Sequence, residues 1–176
     1  HVRSRRQRQM CIRDRRYNGI KSIQGGKNMS DVKRLDINYK TDELFEDFRN
    51  FGNKDLFMVD ELRGEMIDAS SDSPFYGIYV GDRLGARMAL YRKGEVEEVY
   101  FPKYDDYLVL WKLEVLKAFQ GRGYGQALLD YAKSHNLPIK VIARNKSKDF
   151  FLKHGFEDTG QHNQEGNDVL LWAPNK

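Results

Sequence analysis

The chain has 176 residues, with thirty Lys or Arg against twenty-six Asp or Glu, but nine of those bases and only one acid (Asp14) fall in residues 1–28. The remaining twenty-one bases and twenty-five acids leave residues 29–176 at about −4, so the overall +4 is no ground for nucleic-acid binding by the bulk of the chain. The sole cysteine, Cys11, also lies in the first segment, which excludes disulfides and a thiol nucleophile after it, and no apolar run approaches the ~18 residues of a membrane span.

The opening string, His-Val-Arg-Ser-Arg-Arg-Gln-Arg-Gln-Met-Cys-Ile-Arg-Asp-Arg-Arg, reads as translated adapter DNA. Gly25-Gly26-Lys27-Asn28-Met29 back-translates to a run that can hold GGAGG just before a start codon, a ribosome-binding site read as amino acids. Residues 1–28 are therefore expected to be a non-native or disordered extension and Met29 the start. The segment has no apolar h-region of a secretory signal, and a reducing cytoplasm is the expected compartment. Residues 29–176 are long enough for one domain that buries roughly two-thirds of its unfolded surface.

From Met29 the pattern alternates. Lys33 to Tyr39 predicts a strand, with Leu35, Ile37 and Tyr39 on one side. Thr41 predicts an N-cap with Asp42 and Glu43 in the first turn, and Leu44, Phe45, Phe48 and Phe51 give a helical stripe that Gly52-Asn53 stops. A second helix is expected from Asp55, with Val59, Leu62 and Met66 inward and Asp60, Glu61 and Glu65 in solvent. Phe75 to Val80 and Leu84 to Tyr91 predict a hairpin about Gly81-Asp82. The polar connection from Arg92 to Asp106 is long for a hairpin, and long loops are more often functional or mobile than idle.

Tyr107 to Val115 predicts the central strand, followed by a polar turn and a helix with Tyr124, Ala127, Leu128, Tyr131 and Ala132 on one face. Asn136 and Pro138 end it. Ile139 to Ala143 reads as a strand, Ser147 to His154 as a short helix closed by Gly155, and Phe156 to Thr159 with Asp168 to Trp172 as a closing pair. The order β-α-α-β-β-β-α-β-α-β-β predicts an α/β (α+β) fold, a mixed central sheet with helices on both faces.

The chemistry concentrates in Gln120-Gly121-Arg122-Gly123-Tyr124-Gly125-Gln126. Three glycines at a helix N-terminus leave backbone N–H groups uncovered, and the helix dipole adds positive potential, which suits phosphate or pyrophosphate. Gln126 breaks the Gly-x-Gly-x-x-Gly of a dinucleotide fold, and no Gly-Lys-Ser/Thr follows as in a nucleoside-triphosphate loop. A plain glycine-rich turn is the competing reading. The His, Cys, Asp and Glu residues have no metal-ligand spacing.

Gln-x-x-Gly-x-Gly five residues after Val115 resembles the coenzyme A signature of the GNAT superfamily of N-acyltransferases. Asn145 with Phe150-Phe151-x-x-x-Gly155-Phe156 is similar to that superfamily's Asn…Phe-Tyr-x-x-x-Gly-Phe, and the element order over residues 31–173 is that of the GNAT fold. The strings Asn38-Tyr39-Lys40-Thr41, Ser73-Pro74-Phe75-Tyr76-Gly77-Ile78 and Leu110-Trp111-Lys112-Leu113-Glu114-Val115 resemble the YlbP-like acetyltransferases of bacilli and staphylococci. The resemblance implies acetyl-CoA as cosubstrate, direct attack by an amine in a ternary complex, and no metal. It implies pyrophosphate contacts from the backbone of Gly121 to Gln126 with added charge from Arg122, main-chain contacts to the thioester and pantetheine from Leu113 and Val115, and a cofactor contact from Asn145.

The proton-transfer groups are less defined. The superfamily's usual acid, a tyrosine, aligns with Phe151, which has no proton to give; Tyr124 or Tyr131 could replace it, although both suit the core. Glu114 interrupts the apolar strand beside the thioester-binding backbone and is the candidate base, with a Lys112–Glu114 surface pair as the bland alternative. Asp105, Asp106, Glu97 and Glu98 could act through water. His135 and His154 sit at helix ends and read as structural, and His162 has no evident partner. Trp111, Tyr100, Phe101, Tyr104 and Tyr107 could wall an acceptor pocket, and the acids among them favour a cationic amine such as a polyamine, a lysine or an N-terminus. The lost tyrosine also keeps a different class in view, a catalytically silent acyl-CoA-binding sensor. The acceptor, the acyl chain and the oligomeric state are left open.

Overall fold

The computed structural model describes residues 31–53, 56, 58–67, 72–96, 103–144 and 146–175. The leading extension, Asp55, Glu97, Glu98, Tyr100, Phe101 and Asn145 lie outside the described residues. The elements are β1 (Lys33–Arg34), α1 (Tyr39–Phe51), α2 (Val59–Ile67), β2 (Phe75–Val80), β3 (Arg83–Arg92), β4 (Leu108–Val115), α3 (Tyr124–Lys133), β5 (Ile139–Ile142), α4 (Lys148–Lys153), β6 (Glu157–His162) and β7 (Asp168–Trp172), with a 3₁₀ turn at Lys117–Phe119. Their order is the one the sequence predicts.

The strands make one mixed sheet in the order β1-β2-β3-β4-β5-β7-β6. All neighbours run antiparallel except β4 and β5, which are parallel. Each face of the sheet is covered by its own core. Tyr124, Ala127, Leu128 and Ala132 of α3 and Phe151 of α4 pack on one face, against Met88, Leu108 and Leu110. Phe45 and Phe48 of α1 and Leu62 of α2 pack on the other, against Phe75, Leu84, Val109 and Tyr107. The period-2 alternation of β4 sends Leu108 and Leu110 to the α3 face and Val109 to the α1 face.

The first strand is much shorter than the alternation suggests, and the helix starts earlier. Asn38, not Thr41, is the N-cap: its side-chain oxygen accepts the Thr41 amide at 3.0 Å. The Thr41 hydroxyl donates to the Asp36 carbonyl and is buried. These local polar bonds turn the chain where alternation alone would extend it. Phe51, expected on the inward stripe, is 67% exposed at the end of α1.

Replacing Asn38 with Ala removes one of the few bonds that satisfy the first turn of α1. The expected cost is about 1 kcal/mol, or about 2–4 °C in the midpoint of a thermal melt for a domain of this size.

Candidate active site

The site begins with a parting of two strands. β4 and β5 pair only at Leu108↔Ile139, Val109↔Lys140 and Leu110↔Val141. In the next position β4 carries an extra residue: Leu110 faces Leu90 of β3 and Lys112 faces Ala89, so Trp111 is a bulge. A bulge bends its strand and increases the local twist. Lys112 to Val115 therefore stay paired to β3 but leave β5, which continues along β7 through Ile142↔Val169.

A cleft of about 410 Å³ fills the parting. Leu113, Glu114 and Val115 line it from β4, Val141, Ile142 and Arg144 from β5 and its end, Phe150 and Phe151 from α4, and Gly52, Asn53 and Leu56 from the α1–α2 connection. The backbone polar groups of β4 that face the gap need other partners. Gln120 Nε2 donates to the Val115 carbonyl at 3.0 Å. Strand alternation turns the peptide groups of Leu113 to the same side as those of Val115, into the cleft.

A second hollow, about 510 Å³, adjoins the first and shares Leu113, Val115, Gln120 and Phe150 with it. Gly121, Gly123, Tyr124, Gly125 and Gln126 complete its wall, so eight of the sequence-predicted cofactor residues meet there. Two of the glycines are required by conformation, with φ of +73° at Gly121 and +83° at Gly123, the N-cap of α3. Gly125 is favoured by packing: a Cβ there would stand 3.1 Å from Cζ of Phe150, so the ring would have to move by a few tenths of an ångström. Arg122 is the exception among the predicted contacts. It lines neither hollow, and its guanidinium lies 5.9 Å from the Phe119 ring centroid.

Glu114 has different partners from those expected. Its side chain is 7% exposed, Oε1 accepts the Asn53 amide, and Oε2 lies 3.2 Å from Nη2 of Arg87. Arg87 is 2% exposed, bonds the Leu56 carbonyl at 3.1 Å, and stacks between the rings of Phe45 (4.5 Å) and Phe48 (4.2 Å). Burial lowers its pKa to about 10, with Glu114 opposing that fall. Among the described residues its Nε and Nη1 have no hydrogen-bond partner; the two aromatic faces lie against the guanidinium. The pair ties β3 and β4 to the segment that walls the cleft on the α1 side.

Lys112 is on the same face but pairs with Glu61 of α2, which also accepts from Trp111 Nε1 at 3.3 Å. The bulge explains this convergence, because it presents two successive side chains to one face. Glu61 is thus an anchor and not the solvated acid that the helical pattern suggests. His162 also has a partner, Asp168 at 3.0 Å. The helix-end histidines are placed as expected: His135 Nδ1 lies 3.1 Å from the Tyr131 carbonyl, and His154 Nδ1 2.7 Å from that of Phe150.

The other candidates separate cleanly. Tyr124 lines the second hollow; Tyr131 stacks on Tyr76 at 5.0 Å and lines neither space. Phe151 is buried and lines the cleft. Trp111 lines the cleft, whereas Tyr107 is in the α1-side core and Asp105 and Asp106 line neither hollow. Lys153 and His154 of α4 stand beside the α3 N-terminus in the second hollow. Sequence reasoning missed Arg87, Arg144 and Lys153 as site residues. The only signal for Arg87 was a charge inside an apolar strand, Gly85-Ala86-Arg87-Met88-Ala89.

Residues 74–158 match the acetyltransferase (GNAT) domain. The chain belongs to the GNAT acetyltransferases and is an N-acetyltransferase. It is 79% identical over 146 residues to an uncharacterised N-acetyltransferase of Staphylococcus saprophyticus, covering 83% of this chain and 100% of the relative. Relatives of the same description in Staphylococcus aureus are 70% identical over 146 residues, again 83% of this chain and 100% of theirs. Among solved structures, the Bacillus subtilis N-acetyltransferase YlbP in complex with coenzyme A is 46% identical, covers 81% of this chain and 95% of its own, and superposes with a TM-score of 0.62. An acetyltransferase from Corynebacterium glutamicum shares the fold at 13% identity, 82% and 96% coverage and a TM-score of 0.59.

Removing one partner of the buried pair strands the other. Glu114→Ala is expected to cost about 3–5 kcal/mol of stability, read as a lower urea midpoint, and the double change Arg87→Met with Glu114→Leu to recover most of it.

Proposed function

We propose that the protein transfers the acetyl group of acetyl-CoA to an amine by direct attack within the cleft between β4 and β5. The observation that carries this reading is the junction of the two hollows at Leu113 and Val115, where a gap through the sheet meets the N-terminus of α3. Pyrophosphate would sit against the backbone N–H groups from Gly121 to Gln126, whose dipoles and lack of side-chain cover favour an anion. Lys153 stands close enough to this wall to add charge.

The pantetheine arm would run along Leu113 and Val115, taking the place that β5 vacates. A main-chain N–H of Leu113 aimed into the gap supplies the donor that stabilises charge on the thioester oxygen, and such fixed donors are commonly the largest catalytic contribution. Asn145 is retained as a cofactor contact on the resemblance alone.

Glu114 is the one described carboxylate lining the cleft, and we assign it the ammonium proton. A carboxylate has about four lone-pair positions, of which the Asn53 amide and Arg87 occupy two. Of the two tyrosines considered for returning a proton to the thiolate, Tyr124 is the one that lines the cofactor hollow, and we assign it that role. The identity of YlbP and its coenzyme A complex support acetyl-CoA as cosubstrate. No described helix is long and apolar enough to cross a membrane, and a cytoplasmic location, where acetyl-CoA is available, is part of the proposal.

Two variants test it. Gly123→Val forces a β-branched residue into φ of +83° and should weaken coenzyme A binding at least tenfold by calorimetry while near-ultraviolet circular dichroism is retained. Glu114→Gln keeps an acceptor for Asn53 and removes the base. It should lower kcat by about 10²–10⁴-fold with coenzyme A affinity unchanged; a loss of less than about threefold would reduce Glu114 to an anchor.

A further inference from the structure

The charges lining the α1 side of the cleft do not cancel. Its one described acid, Glu114, already has a buried partner in Arg87, and its Lys112 is paired with Glu61 of α2, which stands outside the lining. Arg144 is what remains. It follows β5, is half-buried, and its guanidinium carbon lies 5.1 Å from the ring centroid of Trp111. Its one polar contact among the described residues is a marginal 3.5 Å from Nη1 to the Trp111 carbonyl, and no described carboxylate pairs with it. Lys117, exposed at the rim of the same cleft, adds a second positive charge.

A guanidinium held over an indole face by a cation–π contact is already restricted in position and keeps a fork of N–H donors for a further partner. That arrangement matches a planar carboxylate or a phosphate, taken through two parallel hydrogen bonds. Arg144 does not line the hollow at the α3 N-terminus, so it stands apart from the proposed pyrophosphate site. Trp111 belongs to the α1-side core, which puts Arg144 on the side of the gap opposite α3 and α4, where an acceptor has access to a thioester held at Leu113.

We propose that the acceptor is a primary amine that carries an anionic group, a carboxylate or a phosphate, and that Arg144 on Trp111 receives that group while the amine faces Glu114. This rests on the catalytic reading above and narrows its substrate. It departs from the expectation of a cationic amine such as a polyamine, a lysine or an N-terminus, which came from acids near the β3–β4 connection; Asp105 and Asp106 do not line the cleft, and Asp106 lies 3.5 Å from Arg92.

The test uses the full chain with Trp172→Phe, so that Trp111 is the remaining indole, loaded with coenzyme A. Titration with glutamate and with inorganic phosphate should change Trp111 fluorescence saturably, the tighter of the two naming the anion. Arg144→Gln should weaken that response at least tenfold, Arg144→Lys should restore part of it, and coenzyme A affinity by calorimetry should stay within twofold. In parallel, thiol release from acetyl-CoA should favour glycyl-glutamate over glycyl-glutamine, or glucosamine 6-phosphate over glucosamine, with the preference lost in Arg144→Gln. Intact coenzyme A binding with no saturable response to either anion overturns the inference alone. An Arg144→Gln protein that loses coenzyme A as strongly as it loses the anion makes Arg144 a cofactor contact and also overturns it. A folded protein that binds no coenzyme A removes the catalytic reading beneath it.

Discussion

Everything functional in this molecule depends on the early end of one parallel strand pair. β4 and β5 share three residue pairs and then separate, with the bulge at Trp111 falling one residue after the last pair. A sheet that simply continued would have buried Leu113 and Val115 in a ladder and left no space for a cofactor. Parting the strands exposes backbone groups that are costly to leave unmet. The surrounding structure answers some of that need from outside the ladder: Gln120 reaches back to Val115, and Arg144 lies near the Trp111 carbonyl. Leu113 lines both hollows at this point, which is why the proposed thioester contact is placed there.

The gap also has to be held open, since strand edges tend to close or find other partners. The buried Arg87–Glu114 pair works from beneath, linking β3 and β4 to Asn53 and Leu56 in the segment after α1. Burying two charges is expensive, and the Coulomb attraction offsets the cost only when the remaining donors have partners. Among the described residues, two of the Arg87 nitrogens have only the rings of Phe45 and Phe48. A hydrophobic pair could fill this volume, and the proposed catalytic use of Glu114 would account for a charge being kept there. From the opposite face, Gly125 lets Phe150 approach α3 closely, which brings α4 against the cofactor hollow.

Several residues were legible in the sequence because their signals are local. Gly121, Gly123 and Gly125 declare a turn and a helix start, and the structure gives each a separate reason, two conformational and one steric. The helix faces of α1 and α3 follow from spacing, with Phe45, Phe48, Ala127 and Leu128 in the cores as the period requires. The signal failed where a polar side chain bonds its own neighbours. Asn38 and Thr41 end β1 and start α1 through bonds that alternation does not register. It failed again at Glu61 and Phe51, where helical period assigns a face but cannot say what stands opposite.

The sequence by itself determined the family, the order of the elements, and the glycine turn that opens α3, because each is written in short-range spacing and residue type. Only the tertiary structure decided which charges meet. Lys112 and Glu114 are two residues apart on one face, yet each takes a partner from a different element, Glu61 from α2 and Arg87 from β3. Arg144 is left on Trp111 by that same pairing. Partner choice among charges is a matter of packing and distance across the sheet, and no pattern within one strand contains that information.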